Sequence, residues 1–229
     1  MILTVASNKK GVGKSTIATN IAAMRALLNR DVLLLDVTPQ KSSYDWAQKR
    51  KQAGIEPRMV SASILGKNLR DELPALAGGY TDVVIDTDWR NTEGRQAALE
   101  LADMVVVPIE PVEGCVDLLR LLVRRIKAAR KVNPGLWTLI VIVRAPDALP
   151  FVRIDEILTY IAKLPYTTLA GTAIREQLSL QKAFEECLSI FEYKPADERA
   201  IAEMRDLYRA QKMRRTVLPS LSRLQRLSY

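Results

Sequence analysis

Short apolar runs alternate with longer helical patterns along most of this 229-residue chain. The runs at residues 2–7, 32–36, 82–86, 104–108 and 136–143 are almost continuously apolar and rich in β-branched side chains. Continuous runs of this kind are typical of parallel strands that helices cover on both faces. The sequence therefore predicts an α/β fold with a doubly wound, mostly parallel sheet flanked by helices, whose ligand lies beyond the carboxyl ends of the strands. Helices are predicted at residues 15–28, 92–102, 116–132, 153–163, 176–187 and 197–212.

The composition excludes several kinds of catalytic site. The chain has no histidine, and its two cysteines, Cys115 and Cys187, are far apart in the sequence. A Ser-His-Asp triad, a histidine-based zinc site and a cysteine cluster are therefore excluded. The chemistry has to use carboxylates, lysines, hydroxyls, backbone amides or a hard metal ion.

The first predicted strand runs directly into the segment NKKGVGKST, residues 8–16, which opens the first predicted helix. Such a turn directs backbone amides and the positive end of the helix dipole toward an anion. Lys14 can neutralise phosphate charge, and the Ser15 hydroxyl is a ligand that Mg²⁺ accepts. A phosphate-binding loop is predicted by this order of features: a strand, a glycine-bearing turn, a lysine, a hydroxyl and a helix.

Asn8 stands where the standard G-x-x-x-x-G-K-S/T pattern has its first glycine, so the segment departs from that pattern. It resembles instead the deviant Walker A motif, K-G-G-x-G-K-S/T-T, of the ParA/MinD family of ATPases. The matching positions are Lys9, Gly11, Gly13, Lys14, Ser15 and Thr16. The resemblance implies an ATP-binding loop made of Lys9, Lys10, Gly11, Val12, Gly13, Lys14, Ser15 and Thr16. It also implies that Lys9 acts in catalysis by reaching across an ATP-bound homodimer to the phosphates of the other subunit.

The resemblance continues in the same order along the chain. Residues 33–40 (LLLDVTPQ) resemble the family's second strand, 80–87 (YTDVVIDT) its Walker B strand, and 104–111 (MVVVPIEP) the strand that follows; residues 172–192 resemble a late family segment. The resemblance implies that Lys9, Lys14 and Asp36 are catalytic, and that Ser15, Asp36 and Asp86 organise Mg²⁺. An unpaired carboxylate at the end of an apolar strand is costly unless it faces a cation, which also favours a metal role for Asp86. For both Asp36 and Asp86, the alternative is a strand-end cap or a salt bridge.

Three departures from the family's pattern bear on catalysis. Lys10 replaces a glycine, at a cost of about 1–2 kcal/mol if that position needs positive φ. Thr38 replaces the second aspartate of D-x-D-P-Q, and residues 88–90 (Asp-Trp-Arg) replace small residues after Walker B. Threonine can position a water molecule but cannot act as a base at neutral pH. We therefore expect an ATPase, converting ATP and water to ADP and phosphate, with slow turnover.

Arg144 follows the predicted strand at 136–143. The resemblance implies a place near the adenine for this residue, and a surface arginine is the alternative.

The formal net charge of +8 comes mostly from residues 199–229, and a second basic run lies within residues 118–131. Arg120, Arg124, Lys127 and Lys131 recur at helical spacing and would form one basic face. Clustered cations favour nonspecific binding to DNA phosphates, although a solvated surface is the alternative. The candidate DNA-binding residues are Arg120, Arg124, Lys127, Lys131, Arg209, Lys212, Arg214 and Arg215.

The C-terminal leucines at positions 218, 221, 224 and 227 alternate with arginines, as in a membrane-binding amphipathic helix. Pro219 and the absence of Phe or Trp anchors argue against this membrane function, and packing or DNA binding is favoured. No apolar run reaches the roughly 18–20 residues that span a bilayer, and the N-terminus lacks the pattern of a signal peptide. We expect a cytoplasmic, nucleoid-associated protein with an ATPase domain at residues 1–195 and a basic helix and tail at 196–229.

These features together predict a ParA-like switch that uses ATP and Mg²⁺, dimerises with nucleotide and binds DNA nonspecifically. Its expected task is to segregate or position a plasmid, a chromosome region or another cargo, with an adaptor protein of ParB type. A non-hydrolysing ATP-binding scaffold and a MinD-like membrane-associated regulator are the alternatives.

Overall fold

The computed structural model describes residues 1–64, 66–90, 92–145 and 151–212, with backbone alone at 151–153. The strands are β1 (Ile2–Val5), β2 (Val32–Asp36), β3 (Val60–Ser63), β4 (Asp82–Asp86), β5 (Met104–Ile109), β6 (Trp137–Ala145) and β7 (Thr167–Arg175). The helices are α1 (Lys14–Leu27), α2 (Ser42–Gln52), α3 (Leu69–Ala77), α4 (Glu93–Leu101), α5 (Cys115–Arg130), α6 (Phe151–Ile161), α7 (Leu178–Glu185) and α8 (Glu198–Ala210).

The strands form one sheet in the order β3-β2-β4-β1-β5-β6-β7, and every recorded strand pair is parallel. This confirms the predicted fold class. The order turns back between β4, β1 and β5, so the carboxyl ends of these strands open toward a common crevice. The loop after β1 lies at that crevice.

Strands β3 and β7 and helices α2 and α3 are not apparent in the sequence pattern. Strand β3 reads VSAS and lies at the sheet edge, where no continuous apolar run is needed. Strand β7 is the other edge and contains Gly171. Helix α2 is mostly polar, and α3 carries Pro74 inside it, which obscures the helical pattern.

Helices cover both faces of the sheet. One face packs against α1, α2, α7 and α8, through side chains such as Ile17, Trp46, Leu180 and Met204. The other face packs against α3, α4, α5 and α6. Consequently the predicted basic cluster on α5 and the described part of the other cluster, Arg209 and Lys212 at the end of α8, lie on opposite faces of the sheet.

Helix α8 packs on this sheet as the last described element. Met204 and Leu207 are buried in the core that α1 shares, and the Arg25 guanidinium donates to Gln211 Oε1 at 2.9 Å. The proposed boundary between residues 195 and 196 stays a prediction. Within the described ranges, no helix combines the length and apolar character needed to span a bilayer.

Candidate nucleotide site

The loop between β1 and α1 adopts a conformation that glycine makes accessible. Gly11 and Gly13 have φ of 70° and 85°, in the left-handed region that disfavours other residues. Lys10 is exposed and lies outside that region, so its replacement of the family glycine requires no left-handed backbone there. Gly13 is the N-cap of α1 and the first turn has no acidic side chain, so the helix N-terminus can receive an anion.

Lys14, the first residue of α1, is 8% exposed, and its Nζ donates to the Lys9 carbonyl oxygen at 3.2 Å. Burial lowers the pKa of Lys14, while the negative charges of Asp86 and Asp88 act in the opposite direction. The ammonium thus lies in a partly desolvated position, where its attraction for phosphate is stronger than in water.

Lys9 forms an ion pair with Glu110, which directly follows β5. Their side chains are 30% and 17% exposed. The residue expected to act across a dimer is therefore held within its own chain, and this contact must break before Lys9 can reach another subunit.

Asp36, at the end of β2, is fully buried and well supplied with donors. Its Oδ1 accepts from the Thr38 amide at 2.8 Å. Its Oδ2 accepts from the Ser43 amide and hydroxyl at 2.9 and 2.8 Å, and from the Tyr44 amide at 3.1 Å. Asp36 therefore stabilises the N-terminus of α2, in the manner of a helix cap.

Asp86, at the end of β4, has the opposite environment. It is fully buried, and neither carboxylate oxygen has a partner at hydrogen-bond geometry in the described ranges. Burial and the charge of Asp36 raise the pKa of Asp86 to about 7, although the Ser15 and Ser43 hydroxyls and Lys14 lie near enough to favour its charged form.

These residues fit a magnesium ion. A buried carboxylate without a donor is stabilised by a cation, and Mg²⁺ binds with one or two carboxylates plus phosphates and waters. Among the described residues, no three His, Cys, Asp or Glu side chains cluster closely enough to hold a metal ion by themselves. Ser15 and Asp86 are the residues that would hold the ion, with Asp36 behind them.

Thr38 lies two residues beyond β2, and its Oγ1 accepts from the Lys41 amide at 3.0 Å. The hydroxyl thus orders the turn that leads into α2. Its remaining capacity allows it to orient a water molecule, but no carboxylate stands at this position.

The segment after β4 is connected to the phosphate loop by Arg95, which sequence reasoning did not identify. The Arg95 guanidinium is 2% exposed and donates to Asn8 Oδ1 at 2.7 Å and to the Trp89 carbonyl at 2.9 Å. Burial and the charge of Arg125 lower the pKa of Arg95 to about 10. Arg95 lies on the apolar face of its helix with Ala98, and a charge on an apolar face is the signal that could have identified it.

Asp88 and Arg90, in the same segment, pair with each other. The Arg90 Nε donates to Asp88 Oδ2 at 2.6 Å, and Asp88 Oδ1 accepts from the Trp89 amide at 2.7 Å. The three residues that replace the family's small residues therefore form a local, internally bonded turn.

A cavity of about 270 Å³ lies beside the phosphate loop and has the place expected for the base. Its lining residues include Gly13, Ile17, Arg144, Gln177, Leu180 and Met204. Arg144 has a positive φ of 50°, its side chain is 45% exposed, and its Nε lies 3.9 Å from Glu176 Oε1. The structure thus places Arg144 at the edge of this cavity.

Glu203 of α8 organises the wall of this cavity and was also missed from the sequence. It is 6% exposed. Its carboxylate accepts from the Arg175 amide at 2.9 Å, from Arg175 Nη1 at 2.7 Å and from Gln177 Nε2 at 3.2 Å. The C-terminal helix therefore supports the loop that lines the candidate base pocket.

The predicted basic residues of α5 are exposed. Arg120, Arg124, Lys127 and Lys131 all lie at the surface, and Arg120 pairs with Asp117 at 3.0 Å.

On α8, Arg209 pairs with Asp206 at 2.9 Å, and the Lys212 ammonium lies 4.9 Å from the Tyr208 ring centroid. Arg214, Arg215 and the leucine–arginine tail lie outside the described residues.

Comparison with known proteins places this site in a family. Residues 3–168 match the CobQ/CobB/MinD/ParA nucleotide binding domain. Maintenance of carboxysome distribution protein A of Gloeobacter kilaueensis is 36% identical over 48% of this chain and 49% of its own length, so the match spans about half of that protein. Chromosome-partitioning ATPase Soj of Thermus thermophilus is 29% identical over 63% of this chain and 69% of its own length.

Solved structures show the same fold. A Borrelia burgdorferi putative plasmid partition protein bound to AMPPNP has a TM-score of 0.69 at 20% identity, covering 93% of this chain and 99% of that one. A variant of Cyanothece McdA in complex with ATP has a TM-score of 0.72 at 16% identity, covering 94% and 98%. Because the family's domain matches most of the residues and the loop, strands and site follow its order, this chain belongs to the CobQ/CobB/MinD/ParA family of nucleotide-binding domains.

Proposed function

We propose that this chain is an ATP-dependent switch that dimerises on binding Mg·ATP, binds DNA nonspecifically and segregates or positions a cytoplasmic cargo. The observation that carries the proposal is the open N-terminus of α1 behind Gly11 and Gly13, with the buried carboxylates Asp36 and Asp86 on neighbouring strands. Relatives described as carboxysome-distribution, chromosome-partitioning and plasmid-partition proteins support a positioning task.

In this mechanism the loop amides and Lys14 bind the phosphates. Ser15 and Asp86 would hold Mg²⁺, which neutralises charge on the phosphate oxygens when bound. Lys9 leaves Glu110 and stabilises the γ-phosphate of the partner subunit. Because Thr38 can orient water without accepting its proton, hydrolysis is slow and the ATP-bound state is long-lived.

DNA binding is assigned to the exposed basic face of α5, which presents Arg124, Lys127 and Lys131 without carboxylate partners among the described residues. This surface can neutralise phosphates without base readout. The residues at the end of α8 lie on the other face of the sheet, so within one protomer they form a separate surface. The proposal places the protein in the cytoplasm on the nucleoid, with an adaptor of ParB type that stimulates hydrolysis.

Fluorescence anisotropy with a labelled DNA duplex tests the proposal, with no nucleotide, ADP, ATP or a slowly hydrolysed analogue. The proposed switch requires DNA binding with ATP and with the analogue. This DNA binding should be lost in Lys14→Ala. Equal binding in all four states would show that nucleotide does not control the DNA-binding surface. Absence of binding in every state would remove DNA from the proposal.

A non-hydrolysing scaffold is the second candidate. It is favoured by Thr38 and by Asp36, whose oxygens are already occupied by backbone and hydroxyl donors. Phosphate release at saturating Mg·ATP separates the two, because a scaffold has no turnover above that of Lys14→Ala.

A further inference from the structure

A groove of about 550 Å³ lies between α5 and the segment that follows β4. We call it the arginine groove and define it by Trp89, Arg90, Leu118, Leu121, Arg124 and Arg125. It lies next to the nucleotide site, since Asn8 of the phosphate loop also lines it.

The arginine groove combines apolar surface with positive charge. Trp89 and Leu121, which both line the groove, are 38% and 49% exposed, and apolar side chains exposed in one concave site mark interaction surfaces. Arg124 and Arg125 are exposed and have no carboxylate partner among the residues described. Arg90 has Asp88 as its counter-ion and Arg95 is buried, so the exposed excess positive charge of the groove comes from Arg124 and Arg125.

This composition matches protein-binding sites better than a DNA-binding surface. Trp and Arg are the residues most enriched at the energetic centres of protein interfaces, and lysine is depleted there. Among the described residues no lysine lines the groove, whereas Lys127 and Lys131 lie on the neighbouring basic face of α5. A concave site with apolar side chains suits an inserted side chain, while duplex DNA is met by protruding cations.

The groove is also connected to the nucleotide site. Arg95 donates to Asn8 of the phosphate loop and to the carbonyl of Trp89 in the groove wall. An occupant of the groove would therefore contact a segment that Arg95 connects to the phosphate loop. Such a contact gives a partner a physical route to the bound nucleotide.

We propose that the arginine groove binds an acidic segment of the cargo adaptor that inserts at least one large apolar side chain. The carboxylates of the segment would pair with Arg125 and with Arg124, which the groove shares with the basic face that is proposed to bind DNA. The apolar side chain would pack on Trp89 and Leu121. Charge complementarity selects this partner, because the unpaired groups of the groove are all cationic. This inference rests on the proposed function, because the partner that it names is the cargo adaptor of that proposal.

The test uses labelled synthetic peptides of about fourteen residues, or four helical turns, with leucine on one face and glutamate elsewhere. Fluorescence anisotropy with the full chain should show saturable binding below about 1 mM. Arg125→Glu should weaken it by about tenfold or more, as expected for a charge pair at a desolvated site. Trp89→Ala should weaken it similarly by removing the apolar contact.

The matched control is Lys127→Glu, the same charge reversal at a residue that lies about 200° around α5 from Arg125 and outside the groove lining, and it should leave peptide affinity unchanged. A peptide with lysine for glutamate, and one with serine for leucine, should not bind. The proposal is overturned by no saturable binding, by equal loss in both charge reversals, or by better competition from single-stranded DNA than from unlabelled peptide. Normal ATP-dependent DNA binding alongside such a result would leave the proposed function intact and remove only the peptide site. Peptide binding without ATP-dependent DNA binding would leave the peptide site intact and remove the proposed function.

Discussion

Asp36 and Asp86 are register partners on the adjacent parallel strands β2 and β4, and both are fully buried. Asp36 accepts four hydrogen bonds from residues at the start of α2 and the turn before it, whereas neither oxygen of Asp86 meets a described donor at hydrogen-bond geometry. Two carboxylates side by side therefore have different tasks. Asp36 stabilises the start of α2, and Asp86 is the carboxylate that we propose holds a cation.

This difference predicts opposite stability effects for two matched substitutions. In nucleotide-free protein at pH 8, above the pKa of about 7, Asp86→Asn should raise the free energy of unfolding by about 1–3 kcal/mol, because it removes a buried charge whose oxygens have no partner at hydrogen-bond geometry among the described residues. Asp36→Asn should lower it by about 1–3 kcal/mol, because the amide cannot accept from all the donors. Urea denaturation at constant pH measures both values, and equal signs would contradict the assignment.

The same pair should respond differently to metal. The affinity of Asp86→Asn for ATP should no longer improve when Mg²⁺ is added, while a folded Asp36→Asn should keep part of that gain. Isothermal titration calorimetry with and without EDTA provides the comparison. A full magnesium effect in Asp86→Asn would place the metal elsewhere.

The central sheet could be predicted from the sequence, but the supports of the site could not. Strands such as β2 (VLLLD) and β4 (DVVID) are buried on both faces, and their composition reports this directly. The edge strands are more polar because one edge of each has no neighbour. Arg95 and Glu203 act through bonds to residues 87 and 28 positions away, which no local pattern encodes.

The phosphate loop shows which features the sequence can predict and which it cannot. Its motif located Gly13 and Lys14 correctly at the start of α1, because glycine and lysine have local reasons to be there. The partner of Lys9 could not be inferred, since Glu110 comes from the end of a distant strand.

Thr38 provides a direct test of slow hydrolysis. Thr38→Asp should raise the rate of phosphate release by about tenfold or more, because a carboxylate can accept a proton from water. The turn should survive, since aspartate can also accept from the Lys41 amide. Thr38→Asn keeps that acceptor without a base, so it should stay at the unmodified rate. A comparable increase in both variants would assign the effect to the turn and not to the missing base.

Breaking the Lys9–Glu110 pair should favour dimerisation. Glu110→Gln should lower the analogue concentration needed for half-maximal dimer by about two- to fivefold, the range expected for a partly exposed ion pair. Lys9→Ala should abolish the nucleotide-dependent dimer. Light scattering with size-exclusion chromatography reports both, and a dimer that forms normally in Lys9→Ala would end the assignment of Lys9 to the partner's phosphates.

Arg95 should be needed both for stability and for coupling. Arg95→Met should cost about 1–3 kcal/mol, because Asn8 and the Trp89 carbonyl lose a buried donor. It should also remove any change in acrylamide quenching of Trp89 fluorescence caused by ATP. The control Arg70→Met loses only an exposed pair with Glu100, so its cost should be about 0–1 kcal/mol. Equal stability losses in the two variants would show that Arg95 does not connect Asn8 with the segment at Trp89.

Glu203 should set nucleotide affinity through the base and not through the phosphates. Glu203→Gln keeps the size of the side chain but cannot accept from Arg175 and Gln177 at once, so the cavity wall should loosen. The dissociation constants for ATP and ADP should rise by about five- to tenfold, which corresponds to about one buried hydrogen bond.

Inorganic tripolyphosphate separates this positioning effect from general damage, because it reaches the phosphate loop without touching the base cavity. Its affinity should be unchanged in Glu203→Gln. Asp206→Asn, on the same helix but 51% exposed, should alter neither ligand. A parallel loss of tripolyphosphate and ATP affinity would mean that Glu203 stabilises the domain as a whole and has no specific connection to the base.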